Sequence, residues 1–336
     1  MRSYGSTGLG SLALLTSRTE PIRRRIRSRW IPLAPALVYL LTCAPIATAQ
    51  GFVSPTRIAE GAPGKLLVSD YAAEAIFVVD KQSLQTIWTI PIKGTPMGVA
   101  RLGLLMFVGN ERTESVEVYE IDEVKQKAKL SSTLGPRLTD EGPGFFRRPT
   151  DIAIDPGAGL IFVLDLGDRL IKVFDASGNF INTFPPAVTG QPVSFVAAIE
   201  VDVVRQEILV TDHGNAAAGI PARILVLNYT GVYQRQINGN GYVDGVGTVS
   251  SLQFARPQGL VADRAGHVFM LDPVLGTMIV FDENTILDAD NVAVIKRLDG
   301  FGSCTDLVLD ANSGDVFAVN NRMATLVVVR GGGSIQ

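Results

Sequence analysis

At 336 residues, the chain is long for an average domain, yet closed all-β structures of this size fold as one unit. Hydrophobic residues make up 46% and charged residues 19%, a balance that excludes a disordered chain and supplies a continuous core. The formal charge is −3 for the whole sequence and −9 once residues 1–49, with seven Arg and one Glu, are set apart, so the remainder does not attract nucleic acid.

Arg23, Arg24, Arg25, Arg27 and Arg29 crowd in front of an uncharged apolar run from Trp30 to Ala49, the layout of an export signal. Pro45 ends the apolar helix about one turn before Ala47-Thr48-Ala49, whose small residues fit a signal-peptidase site ahead of Gln50. The expectation is a signal peptide over 1–49 and a mature, extracytoplasmic chain over 50–336, periplasmic or secreted. The alternative is an uncleaved membrane anchor, since the run reaches about the length that spans a bilayer, although Pro32 and Pro35 weaken it. A lipoprotein site at Cys43 fits less well, because Thr42 stands where a smaller residue is usual. Cleavage would leave Cys304 alone and the mature chain without an internal disulfide.

Past the leader, one frame recurs. Its fullest copy runs from Pro149 through Asp155, then Leu160 to Asp165, Arg169 to Asp175 and Gly178 to Phe184. Each run is apolar and β-branched, and Pro156-Gly157 and Ser177-Gly178 supply turns between them. The frame is met first at Pro55–Asp70, next at Pro96–Asn110, and after the full copy at Ala198–Asp212, Pro257–Asp272 and Asp306–Asn320. Six copies spaced by about 40–60 residues predict an all-β chain, a six-bladed β-propeller of four-stranded antiparallel blades, because no single blade can bury both its faces. The sixth copy lacks a fourth strand before Gly331, so Gly51–Ser54 is expected to pair with Leu326–Val329 and cover the open edge.

The Pro-x-Gly-Ile-Ala-like first strand, the second strand ending in Asp and the Arg-Ile-x-Val-Phe-like third strand resemble the NHL repeat. Asn238–Gly245, followed by Phe254–Leu260, is similar to that family's connection between blades. The resemblance covers about residues 52–330 and implies a propeller fold. Such propellers serve as binding platforms, ubiquitin-ligase modules and a few enzymes, so fold alone does not name an activity. The sequence has no RING, B-box or coiled-coil segment to support the ligase role.

The second strands end in Asp70, Asn110, Asp165, Asp212, Asp272 and Asn320. Such residues bond the amides of their own turn, and one per blade places them too far apart to share an ion. At the channel mouth the frame places Arg57, Gly98, Asp151, Ala198, Gly259 and Asp306. Arg57 with Asp151 and Asp306 reads as charge pairing or as a mouth that holds a cation or polar ligand. Glu60 and Arg101 are expected to pair across adjacent first strands.

Two metal-dependent relatives of this architecture are weighed. Peptide-amidating lyases hold zinc with three His, whereas this chain has only His213 and His267. Gluconolactonase-like propellers use a Glu with Asn and Asp ligands; Glu60-Gly61 is similar to their early Glu-Gly, which makes Glu60 the alternative catalytic residue with a divalent cation in the channel. No Gly-x-Ser-x-Gly elbow is present. The favoured reading is a binding module, without a cofactor, for a protein, peptide or glycan. Its upper face carries the longest connections, 134–148 and 238–256, and the loop from His213 to Arg223. Arg137, Phe145, Phe146, Arg147, Arg148, His213, Arg223, Tyr242, Asp244 and Arg256 are the candidate contacts, aromatic and Arg side chains suiting interface anchors. Phe145, Phe146 and Phe254 could instead fill the gaps between blades.

Overall fold

The computed structural model describes residues 51–135, 142–189, 191–193, 195–238, 242–243, 249–250, 253–288 and 291–331. The leader at 1–49, the expected new terminus at Gln50, and Arg137 and Asp244 lie outside the described residues.

Residue type sets the strands: β-branched and aromatic runs pair, and Asp, Asn and Gly turn the chain. Blade one comprises strands Pro55–Glu60, Lys65–Asp70, Ala75–Asp80 and Thr86–Pro91. Blade two comprises Pro96–Leu102, Leu105–Asn110, Ser115–Asp122 and Lys127–Leu134. Blade three comprises Pro149–Asp155, Leu160–Asp165, Leu170–Asp175 and Phe180–Phe184. Blade four comprises Val196–Asp202, Glu207–Asp212, Arg223–Asn228 and Tyr233–Ile237. Blade five comprises Leu260–Ala262, His267–Asp272, Thr277–Asp288 and Asn291–Asp299. Blade six has three strands among the described residues, Cys304–Leu309, Val316–Asn320 and Thr325–Val329. Each blade is an antiparallel meander, and the first strands contact one another all the way round, blade six against blade one included. The ring is therefore a six-bladed propeller.

Period-two alternation explains the core. In blade three, Phe162 and Leu164 pack towards blade four while Ile161 and Val163 pack towards blade two. Every seam between neighbouring blades holds such an apolar cluster, six in all. No blade has a core of its own, which is why closure of the ring matters.

Closure differs from the expected strand pairing. Among the described residues Thr325–Val329 pairs only with Val316–Asn320. The amides of Val53 and Ser54 are instead donated to the Asp70 carboxylate, at 2.7 and 2.9 Å, so they are not free to build a ladder. Phe52 closes the seam by its side chain, edge-on to Phe77 at 5.0 Å and packed with Phe317, Leu326 and Val328.

Three additions lie outside the repeat frame. A short hairpin, Ala187–Val188 with Gln191–Pro192, precedes blade four. Tyr242–Val243 pairs with Val249–Ser250, and Tyr242 also aligns parallel to Val294, so this connection extends blade five. A 3₁₀ turn at Ala216–Ala218 lies in the long loop of blade four, capped by the Asn215 side chain. Among the described residues no helix is long and apolar enough to cross a membrane.

Candidate functional site

The upper ends of the first strands carry one extra residue relative to their partners: Thr56 in blade one, Thr150 in blade three and Thr305 in blade six each sit at a register shift. Such bulges re-aim the next side chain, and here the next residues are Arg57, Asp151 and Asp306. All three are at least nine-tenths buried. Close approach of the strands depends on glycine: a Cβ on Gly98 would lie 2.9 Å from the Asp151 Cα, and one on Gly259 would lie 2.5 Å from the Asp306 Cα.

Arg57 crosses the channel mouth. Its Nε lies 3.4 Å from Asp151 Oδ1 and its Nη1 4.0 Å from Asp306 Oδ1. It also donates to the carbonyls of Thr150, Thr305 and Ala197, at 3.3, 3.4 and 2.5 Å. The two carboxylates reach onward, Asp151 accepting the Ile199 amide and Asp306 the Ile58 amide, each at 2.9 Å. One guanidinium thus ties blades one, three, four and six together, the pairing outcome of the two readings of the mouth.

Below it the channel is a cup of about 360 Å³, lined by Ile58, Ile152, Leu260 and Leu307 and by Glu200. In the repeat frame Glu200 shares a column with Ala59, Ala100, Ala153, Val261 and Val308, so it is the one acidic side chain in an apolar ring. Burial, and then the negative charges of Asp151 and Asp306, hold the Glu200 carboxyl well above the usual range. Burial also raises Asp151 despite Arg57, and pushes Asp306 up to about 7. Asp151 and Asp306, both buried, share one guanidinium, and the half-buried Glu200 adds a third carboxyl in the cup below, so full ionisation of all three is disfavoured.

Glu60 and Arg101 are not a pair. Lys81 lies 2.5 Å from Glu60 and 2.8 Å from Asp310, because the turn after the third strand of blade one falls beside both. Arg101 donates to the Gly103 carbonyl at 2.9 Å and lies 3.6 Å from Glu123. Burial raises the Glu60 carboxyl, against the opposing effect of Lys81. A divalent cation at the mouth would meet a guanidinium, and one at Glu60 would have to displace an ammonium, so these residues do not fit a channel metal.

At the second-strand ends the expected turn role holds, with an addition. Asp70 accepts from Ala72 and Ala73 in its own turn as well as from Val53 and Ser54. Asp165 likewise takes the amides of Arg147, Arg148 and Gly167, and Asp272 those of Ala255, Arg256, Val274 and Leu275. These carboxylates staple each incoming connection to the adjacent turn and are spent as ligands.

The candidate contacts divide accordingly. Phe146 is corrected to a core residue: it is 1% exposed and packs on Phe174 at 5.5 Å. Arg223 is corrected too, its Nε lying 3.0 Å from Asp212 and its Nη1 donating to Gln236, with a side chain mostly out of water. Phe254 is buried against Phe281, as the gap-filling alternative has it. Phe145 is half-buried, its carbonyl bound by the Lys172 ammonium. Lys172, itself buried, is held 2.6 Å from both Asp165 and Asp168. Arg147 and Arg148 are exposed, each 3.0 Å from a carboxylate, Asp168 and Glu111. Of Tyr242 the strand position alone is described.

His213 and Arg256 come together. His213 lines a cleft of about 420 Å³ between blades four and five, with Ile220, Pro221, Gln253 and Phe254. Burial, then the Arg256 charge, lowers the His213 pKa, opposed by a bond to the Pro257 carbonyl, so the ring is neutral at pH 7. Its Nε2 is shielded and has no partner among the described residues. Phe195, which accepts the His213 amide at 2.8 Å, is 50% exposed, and Ile220 is 40% exposed.

Glu200, Lys81 and Phe195 were missed from the sequence; Glu200 had a signal, the lone acid in its repeat column. Asp202, Glu207 and Glu283 also converge, but Arg205 and Arg235 occupy them, with contacts of 2.9 Å to Asp202 and 2.6 Å to Glu207 and Glu283. His267 is bound to Asp263 at 2.7 Å and is a turn residue.

No protein-family model matches this chain, and no curated protein matches it. Solved structures do: 1250 chains match, so the likeness is to a widespread architecture. One is a chain of Kuenenia stuttgartiensis hydrazine synthase, 15% identical, with a TM-score of 0.56 over 84% of this chain and 85% of that one. At that identity the likeness is one of fold.

Proposed function

We propose that this chain is an exported propeller of NHL type that acts as a binding module, engaging a protein, peptide or glycan through its upper face. The observation that carries the reading is the cleft of about 420 Å³ beside the His213 loop. It combines an imidazole whose shielded Nε2 has no partner among the described residues with the exposed Ile220, and the exposed Phe195 is tied to His213 through its carbonyl. A polar group in need of a donor beside apolar surface is the composition of a ligand site.

The lower face offers a larger bowl, of about 580 Å³, but two of its carboxylates are spent. Asp263 serves Ala265 and His267, and Asp310 serves Asn312, Ser313 and Lys81. The channel between the two faces is crossed by Arg57, which disfavours the gluconolactonase-like alternative.

Peptide and glycan arrays probed with the wild-type chain and with the Phe195→Ser/Ile220→Ser variant test the proposal. Binding should fall by about tenfold or more in the variant, as for residues at the centre of an interface. Binding untouched by the double change, or divalent-metal-dependent lactone hydrolysis lost on Glu60→Gln, would overturn it. Export is tested separately by intact mass after expression in a bacterial host: a chain beginning at Gln50 supports it, and a full-length species in the membrane fraction favours the anchor.

A further inference from the structure

Next to the His213 cleft, across Arg256, a second depression of about 330 Å³ lies at the seam of blades five and six. It is lined by Arg256 and Arg322 together with Gln258, Val274, Ser303 and Thr305, and no acidic side chain lines it. We propose that this depression binds an oxyanion group, a carboxylate, sulfate or phosphate, between the guanidinium groups of Arg256 and Arg322. The inference rests on the upper-face reading and names the chemistry of what is bound there.

Three other upper-face arginines have their anions within the protein: Arg112 at 2.7 Å from Glu74, Arg147 at 3.0 Å from Asp168 and Arg148 at 3.0 Å from Glu111. Arg256 and Arg322 have no ion pair among the described residues, though they lie on separate blades and face one cavity. Asp272, which takes the Arg256 backbone amide, also accepts from three further amides. Two like charges held at one cavity repel each other, and the repulsion is relieved when an anion sits between them.

The polar lining fits the same ligand. The Thr305 hydroxyl is used on the Thr56 carbonyl and the Asn321 amide on Ser54 and Pro55, so these hold the walls in place. The side chains of Gln258 and Ser303 have no hydrogen-bond partner among the described residues and can donate to an oxygen in the cavity. Planar guanidinium forks match oxyanions through paired N–H donors, which a lysine could not do as well. The Arg256 charge also depresses the His213 pKa, so the basic depression and the apolar cleft are neighbours. A ligand anchored by its anionic group could lay an apolar part against Ile220.

The test uses the wild-type chain with sodium sulfate, inorganic phosphate and glucuronate as probes and glucose as the neutral control, read by calorimetric titration at constant ionic strength. The variants are R256Q, R322Q, the double variant, and R264Q, which removes an arginine from the lower bowl. Expected are saturable binding of at least one anion, weakening by about tenfold in each single variant, and loss in the double variant. R264Q should bind as wild type does, and the tightest of the three probes identifies the source of the oxyanion. No saturable binding of any probe, binding unchanged in the double variant, or equal weakening by R264Q would overturn the inference. Melting temperatures should be unchanged in all variants, since these side chains make no ion pair. Array ligands that are neutral and indifferent to R256Q/R322Q, yet lost in Phe195→Ser/Ile220→Ser, would leave the upper-face reading standing and remove only this one.

Discussion

Replacing Arg57 with Met keeps most of the side-chain volume and removes the charge, leaving Asp151 and Asp306 without the guanidinium between them. Asp151 and Asp306 would then face each other and Glu200 uncompensated, and the carbonyls of Thr150, Ala197 and Thr305 would lose a donor. Breaking a buried pair from one side costs about 3–5 kcal/mol where the partner stays ionised. The sign with pH follows from the carboxyls. Burial raises their folded values above the unfolded ones, with Asp306 up to about 7, so below the unfolded value both are neutral and the lost attraction has nothing to act on. As pH rises through the folded values the wild type keeps Arg57 to offset the ionising carboxylates and the variant does not. Urea denaturation at pH 5 and pH 8 measures this: the deficit of Arg57→Met should be clearly larger at pH 8. A deficit below about 1 kcal/mol at both values, or one that does not change with pH, would refute the idea that Arg57 is an electrostatic tie across the ring.

Phe52→Ala should destabilise by about 3 kcal/mol, as for a large aromatic removed from a seam, while Val53→Ala, at a residue 60% exposed, should leave the urea midpoint unchanged; equal effects would argue for strand pairing instead. Glu200→Gln should stabilise the protein at pH 8 and hardly at pH 4.5. The wild-type Glu200 is held above its unfolded value by burial, so its contribution turns unfavourable as pH rises from the unfolded towards the folded value; a difference in midpoint that does not grow with pH contradicts this. Arg147→Ala/Arg148→Ala should cost well under about 1 kcal/mol by the same assay, because both ion pairs are exposed and screened; a larger loss would make the pair structural.

The repeat was legible because its signals are local: period-two apolar runs and an Asp or Asn at each second-strand end that bonds its own turn. The channel partners were not, because they join blades far apart in sequence. Arg57 reaches Asp151 and Ala197 across the ring, and Glu60 meets Lys81 of its own blade's outer turn rather than Arg101 next door. The amino-terminal segment was misread as a strand because apolar residues beside an open edge look like a partner; the Asp70 carboxylate takes the amides such a strand would need. Phe146 and Arg223 carry interface chemistry by type, but burial and pairing decide their role. Arg322 escaped notice because its partner in the cavity, Arg256, belongs to another blade; aligning the turns of neighbouring blades side by side would have brought the two together.

Whether ligands are taken by the upper face and not by the channel or the lower bowl is decided by hydrogen–deuterium exchange with and without an array-identified ligand. Slowed exchange should be confined to the His213–Arg223 loop and the segment 253–258, with turns 263–266 and 311–314 unaffected. Protection of those lower turns, or of the first strands around Glu200 with the upper loops unchanged, would contradict it.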